Sequence, residues 1–288
     1  MSVKTLYISD LDGTLLNKSA ELSEYTKNTL NRLIADGLHF SAASARTVAS
    51  AAKIMSGLQL HLPVVLMNGV VTYDIAAKSY VEKSPMGEDA VLRILNVIKE
   101  FDVSGMMYRL TDSELMTYYE SLEAEPIRNF VEERQSRYYK TFYQTDSFFD
   151  VPRDQIVYFT LPDNYDRLRR VRDALDGIPG ITAVLYRDVY SETLWFLELF
   201  SSAASKKDAV GLLRERYGFE RVVGFGDNLN DLPLFEACDV RVAVANSVGE
   251  VRAAADYICD ANENDGVIKW IEENMQCRNT DGKGTICP

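Results

Sequence analysis

Histidine is almost absent from this chain: only His39 and His61 occur, and the four cysteines (Cys238, Cys259, Cys277, Cys287) show no Cys-X-X-Cys spacing. An imidazole or thiolate metal cage is therefore disfavoured, and the thiols are expected to be buried and inert. No apolar run approaches the length of a membrane span, and the N-terminus lacks the basic and apolar regions of a signal peptide. The expected location is the cytoplasm, with no membrane partner. Positive charge is also short. With 31 Lys and Arg against 43 Asp and Glu, the formal charge of −12 disfavours nonspecific nucleic-acid binding. An anionic substrate remains compatible, because a bound divalent cation and a few local cations reverse the sign of a single pocket. Internal repeats and low-complexity tracts are missing too.

What is present is the composition of an ordinary globular protein, 47% hydrophobic and 26% charged over 288 residues, a length that favours two domains. The stretch Tyr7-Ile8-Ser9-Asp10-Leu11-Asp12-Gly13-Thr14 organises the rest. Leu6 and Ile8 alternate as in a buried strand, which then stops at two carboxylates, a glycine and a hydroxyl. In open parallel sheets the ligand crevice lies at the carboxyl ends of the strands, so this strand delivers Asp10 and Asp12 to it. A calcium loop starting at Asp10 would place Glu21 twelfth, but its sixth position is Leu15 where glycine is needed, and a strand precedes it rather than a helix.

Leu22 to Ala35 reads as a helix capped by Ser23 and stopped by Gly37. A short strand, Phe40 to Ala43, runs into Ser44-Ala45-Arg46, after which a helix through Val48, Ala52 and Met55 presents its N-terminus, an anion-binding geometry. Pro63 to Met67 is a third buried strand ending at Asn68-Gly69, and Val70 to Glu82 is a hairpin. The β-α-β-α-β order predicts right-handed crossovers and a parallel, Rossmann-like sheet.

From about Ser84 the pattern becomes αββαβαββ, an α+β unit inserted into the first domain. The arginines at 167, 169, 170 and 172 share a helix with Leu168, Val171 and Leu175, and are expected to form its solvated side. After the insert, Ser205-Lys206-Lys207-Asp208 opens a helix. Arg221 to Phe225 then forms a strand leading into Gly226-Asp227-Asn228-Leu229-Asn230-Asp231. A strand from Val240 to Ala245 ends at Asn246, and a last helix runs from Gly266 to about Met275. The expected organisation is an α/β core from 1–83 and 194–277, an α+β cap at 84–193, and a disordered or vector-derived tail at 278–288.

Strand ends thus offer Asp10, Asp12, Ser44, Asn68, Asp227 through Asp231 and Asn246 to one sheet edge, with Lys206 at a nearby helix start. Carboxylates in excess of cations suit a hard divalent ion such as magnesium working together with a substrate phosphate. The lysine, hydroxyl and helix N-terminus form a phosphate cradle. The nucleophile is then either a carboxylate or a water on the metal.

These motifs, Asp10-Leu11-Asp12-Gly13-Thr14, Ser44-Ala45-Arg46, Ser205-Lys206 and Gly226 to Asp231, occur in order over roughly residues 3 to 275. They resemble the four motifs of the haloacid dehalogenase-like phosphatases, and the place of the insert resembles the Cof-type branch with a C2-type cap. The resemblance implies Asp10 as nucleophile forming an aspartyl-phosphate and Asp12 as general acid and base. It implies magnesium held by Asp10, the Asp12 carbonyl and Asp227, and phosphoryl oxygens held by Leu11, Ser44, Ala45, Lys206 and Asn230. Asp231 would support the site from behind. Serine in place of the branch's usual threonine keeps the hydroxyl, Ala45 in place of glycine narrows the backbone approach, and Lys207 is expected to face solvent. The implied substrate is a small phosphorylated metabolite such as a sugar phosphate, handled by a monomer or weak homo-oligomer. The sequence alone leaves open a sugar-phosphate phosphotransferase of the phosphomutase type, or a non-catalytic metabolite-binding protein. Around Tyr186-Arg187-Asp188 the insert is expected to reach the sheet edge.

Overall fold

The computed structural model describes residues 3–112, 114–187 and 193–281. The chain opens with β1 (Thr5–Ser9), α1 (Glu24–Ala35), β2 (His39–Ala42), α2 (Val48–Ile54), β3 (Val64–Leu66), β4 (Val71–Asp74) and β5 (Ser79–Lys83). It continues through α3 (Glu88–Glu100), β6 (Met106–Leu110), β7 (Leu115–Tyr119), α4 (Glu125–Tyr138), β8 (Tyr143–Gln144), β9 (Ile156–Asp163), α5 (Tyr165–Leu175), β10 (Ile181–Arg187) and β11 (Trp195–Ser201). It closes with α6 (Lys206–Tyr217), β12 (Arg221–Gly226), α7 (Leu232–Glu236), β13 (Val240–Val244), α8 (Gly249–Ala254), β14 (Tyr257–Cys259) and α9 (Gly266–Asp281). Two compact units result: one from the chain up to Glu82 together with the chain from Ser205 onward, the other from Lys83–Ala204.

In the first unit a parallel sheet runs in the order β14-β13-β12-β1-β2. The third strand expected from the sequence is shorter than its apolar run. It joins β2 through a single parallel bridge, Ala43 to Val65, and pairs antiparallel with β4. Strands alternate their faces, so Leu6, Ile8 and Val222 pack with Val210 and Leu213 of α6 and Leu234 of α7. On the opposite face Phe225 meets Trp270 of α9 edge-on, with ring centroids 5.4 Å apart. The side chain of Ser23 accepts a hydrogen bond from the Thr26 N–H and caps α1, as the sequence indicates. The final helix continues past Met275 to Asp281, while residues 282–288 of the expected tail lie outside the described residues.

In the second unit a six-stranded sheet runs β10-β11-β9-β6-β7-β8. One face carries an apolar core in which Met107, Phe159, Leu161, Leu197 and Leu199 meet Ile94 and Leu95 of α3 and Leu168, Val171 and Leu175 of α5. Arg169 and Arg172 of α5 pair with exposed Asp173, the solvated role expected for the arginine cluster, whereas Arg167 is half-buried and donates to the Phe101 carbonyl (3.0 Å). The sequence reading returns the chain to the first unit at residue 194. The structure returns it at Ser205, because β11 pairs antiparallel with both β9 and β10 along its length. Tyr186 and Arg187 end β10, and Asp188 lies outside the described residues.

Candidate active site

The Asp10 N–H donates to the Phe225 carbonyl (3.0 Å), carrying the β1–β12 ladder to the first acidic residue. The chain then makes a single wide turn over Leu11–Leu15, closed by the Leu16 N–H on the Leu11 carbonyl (2.9 Å). Gly13 sits in this turn with φ +76°, and a Cβ there would lie 2.4 Å from an Asp227 carboxylate oxygen, so both conformation and contact require glycine. The next residue, Thr14, donates its hydroxyl to Asp227 Oδ1 (2.7 Å). Motifs 213 residues apart in the chain are thereby locked together.

Lys206 begins α6, whose cap is Ser205, and its side chain is buried. Its ammonium bridges two buried carboxylates, Asp10 Oδ1 at 2.6 Å and Asp231 Oδ1 at 2.7 Å. Asp231 Oδ2 accepts from the N–H groups of Asp227 (2.9 Å) and Asn228 (3.1 Å). Both Asp231 oxygens are therefore engaged within the protein, which makes this residue a brace that orients Lys206 and the 226–231 turn.

Charge balance decides what the site can hold. Burial and the neighbouring carboxylate of Asp231 push the Asp10 acid well above its ordinary value, and Lys206 offsets only part of this. Burial, then Asp231, pushes Asp227 up to about 6 against the opposing Thr14 hydrogen bond. Burial works against the Lys206 charge, but Asp10 and Asp231 outweigh it and raise its pKa. Asp10, Asp227 and Asp231 offer oxygens within 4.8 Å of one another against a single buried lysine. A hard divalent cation fits this excess of anionic oxygen. Asp231 has both oxygens engaged within the protein, so Asp10 and Asp227 are the carboxylates of that cluster less fully committed.

The loop after β2 supplies the second group. Ser44 is buried at the strand end, and its Oγ accepts from the Arg46 N–H (3.2 Å). Arg46 reaches back to Asp12 with a two-pronged contact, Nε to Oδ2 at 2.7 Å and Nη2 to Oδ1 at 2.6 Å. The third strand end is held in a left-handed path, with φ of +52° at Met67, +57° at Asn68 and +99° at Gly69. Met67 and Asn68 donate their N–H groups to the carbonyls of Arg46 and Ser44, both at 3.1 Å. A Cβ on Gly69 would stand 2.2 Å from the Ser205 carbonyl oxygen, so this loop also abuts the start of α6.

Of the residues expected from the sequence, Asp10, Lys206, Asp227 and Asp231 come together directly, while Asp12 and Ser44 are joined to each other through Arg46. Leu11 is buried in the first turn, whereas Ala45 and Asn230 are exposed on the loop after β2 and on the Leu229–Asp231 turn. Lys207 pairs with exposed Glu236 (2.9 Å) and faces solvent as expected. The Arg46–Asp12 contact was not foreseen, and its only signal in the sequence was a cation two residues past the Ser44 hydroxyl. The thiols of Cys238 and Cys259 are both pushed up by burial, the latter to about 12, which leaves them inert at neutral pH.

The profile of the haloacid dehalogenase-like hydrolases matches residues 7–271. The chain belongs to this family. Among relatives, the Escherichia coli pyridoxal phosphate phosphatase YbhA is 26% identical, the match covering 92% of this chain and 97% of that protein. The Bacillus subtilis 5-amino-6-(5-phospho-D-ribitylamino)uracil phosphatase YitU is 23% identical, with coverages of 92% and 95%. A haloacid dehalogenase-like hydrolase structure from Bacteroides thetaiotaomicron superposes with a TM-score of 0.79 at 23% identity, covering 94% of this chain and 99% of that one. A Thermotoga maritima structure gives 0.78 at 24% identity, with coverages of 95% and 97%. The shared fold is thus a parallel-sheet hydrolase core interrupted by an antiparallel-sheet insert.

Proposed function

We propose that this haloacid dehalogenase-like hydrolase is a cytoplasmic, magnesium-dependent phosphatase of small phosphorylated metabolites, sugar phosphates foremost, with no nucleic-acid or membrane partner. Among the described residues, no helix is long and apolar enough to cross a membrane. The observation that carries the reading is Lys206 bridging Asp10 and Asp231 at the carboxyl edge of the parallel sheet. That contact fixes one oxygen of Asp10 and leaves the carboxylate aimed from a rigid strand end, as an attacking group requires. The phosphatase names of two relatives, one acting on pyridoxal phosphate, support the same chemistry.

In this reading Asp10 attacks the phosphorus and forms an aspartyl-phosphate. Asp12 protonates the leaving alcohol and then takes a proton from the water that hydrolyses the acyl phosphate. Ser44, the Leu11 backbone, the Ala45 N–H, Lys206 and Asn230 hold the phosphoryl oxygens, while Asp231 keeps Lys206 in place. Magnesium held by Asp10, the Asp12 carbonyl and Asp227 would supply positive charge against the repulsion between an anionic nucleophile and an anionic substrate.

Phosphate release from a panel of sugar phosphates and pyridoxal phosphate tests the proposal. Activity that requires magnesium, is abolished by EDTA, and drops roughly 10⁴-fold or more in Asp10→Asn is expected. Transfer of phosphate between sugar positions with none released to water would assign a phosphotransferase instead.

A further inference from the structure

The contact between Arg46 and Asp12 closes on both carboxylate oxygens. Arg46 is the less exposed partner, its side chain 15% accessible against 49% for Asp12. Its third nitrogen, Nη1, donates to the buried Ser50 hydroxyl (2.6 Å) one helical turn along in α2. Its backbone N–H is held by Ser44 Oγ and its carbonyl by the Met67 N–H (3.1 Å). The guanidinium is thus held by Ser50 and the Arg46 backbone by Ser44 and the Met67 N–H, while Asp12 is the more exposed member of the pair. A planar fork that meets a carboxylate through two parallel N–H···O bonds fixes orientation as well as distance, which a lysine ammonium cannot do.

Both Asp12 oxygens accept from the fork, so one bond must open and the freed oxygen take a proton from solvent before Asp12 hands that proton to a leaving oxygen, while the other bond holds. We propose that Arg46 is the positioning residue for Asp12: anchored by Ser44, Ser50 and Met67, it holds the carboxylate by one oxygen as a pivot and leaves the other to serve the leaving group and then the attacking water. This rests on the phosphatase reading above, in which Asp12 exchanges protons with substrate and water. It adds to that reading a residue that acts through Asp12.

The consequence is specific to the leaving group. An alkyl alcohol leaves poorly without a proton, whereas p-nitrophenolate leaves without help, so loss of acid positioning penalises the first ester and spares the second. The value of kcat/KM reports steps up to phosphoryl transfer, and a burst of product reports slow hydrolysis of the intermediate afterwards. The experiment compares wild type, Arg46→Gln and Arg46→Lys on one sugar phosphate and on p-nitrophenyl phosphate, with thermal melting as a check on folding. In Arg46→Gln, kcat/KM for the sugar phosphate is expected to fall roughly 10²-fold further than for the nitrophenyl ester. A stoichiometric burst of p-nitrophenol should appear, because Asp12 also serves the hydrolysis step. Arg46→Lys keeps the charge but not the fork, and should resemble Arg46→Gln. Equal losses on both esters, or full recovery with lysine, would overturn the proposal and make Arg46 a general electrostatic or structural residue. Failure of the underlying reading looks different: Asp10→Asn would stay active, and no burst would appear on any ester.

Discussion

Asp231 and Lys206 show how a buried charge is made to serve at the scale of one residue. Lys206 is kept protonated by two carboxylates, and Asp231 is held in orientation by Lys206 and two backbone N–H groups. Replacing Lys206 with methionine removes the shared cation and leaves two buried carboxylates without it. The expected result is a loss in kcat/KM of roughly 10³-fold together with a lower melting temperature, since breaking a buried pair costs on the order of 3 kcal/mol. Phosphate-release kinetics and thermal melting measure both. At this scale the acidic residues were legible in the sequence, because a period-2 apolar run that stops at Asp10 can only present it at the strand end. The Arg46–Asp12 fork was not legible: it depends on where a long side chain reaches across 34 residues of chain, which no local pattern encodes.

At the scale of elements, the site is four strand-end loops, after β1, β2, β3 and β12, and one helix start wedged together. Gly69 is the wedge, since its φ of +99° and its approach to the Ser205 carbonyl exclude any side chain. Gly69→Ala should destabilise the first unit by roughly 2 kcal/mol. It should also lower kcat more than it raises KM, because the displaced group is the start of α6 that carries Lys206. Urea denaturation and steady-state kinetics test this together. If stability falls with kcat unchanged, the loop does not position Lys206. Long periodic segments such as α1, α3 and α5 were readable, whereas β8, α7, α8 and β14 span two to six residues and carry too few apolar repeats to register. The misplaced boundary at residue 194 has a similar cause: the pattern of Trp195–Ser201 marks a strand but says nothing about which sheet it joins.

Over the whole molecule, each unit carries an electrostatic signature that can be measured without activity. In the first, crowded carboxylates predict that magnesium binding favours the folded state. Magnesium in excess over its dissociation constant should raise the melting temperature by several degrees and EDTA should reverse it, about 2.7 kcal/mol at a hundredfold excess. In the second unit, the sheet face opposite the apolar core carries a buried amine. Lys140 lies over the rings of Tyr108 (4.4 Å) and Phe142 (5.0 Å), and burial, aided by Arg134, lowers its pKa from 10.5 to about 7. Between those values the unfolded chain binds a proton that the folded chain does not, so this residue makes stability rise with pH from about 7 toward 10.5. Lys140→Met should therefore stabilise the protein by on the order of 2 kcal/mol at and below neutral pH, with the gain fading as pH approaches 10. Calorimetric melts across that range test it; a gain independent of pH would show that the amine is not desolvated. The sequence could not reveal this amine, because Lys140 follows a polar helix and its burial arises only when β6 and the 139–142 segment meet.

The proposed chemistry turns on one event, the phosphorylation of Asp10 during turnover. Enzyme mixed with a sugar phosphate and magnesium, quenched in acid within one turnover and digested, should carry one phosphoryl group on the peptide containing Asp10. Borohydride should reduce that acyl phosphate at the same residue. A phosphoryl group found on another residue, or none in wild type while Asp10→Asn still releases phosphate, would contradict the account.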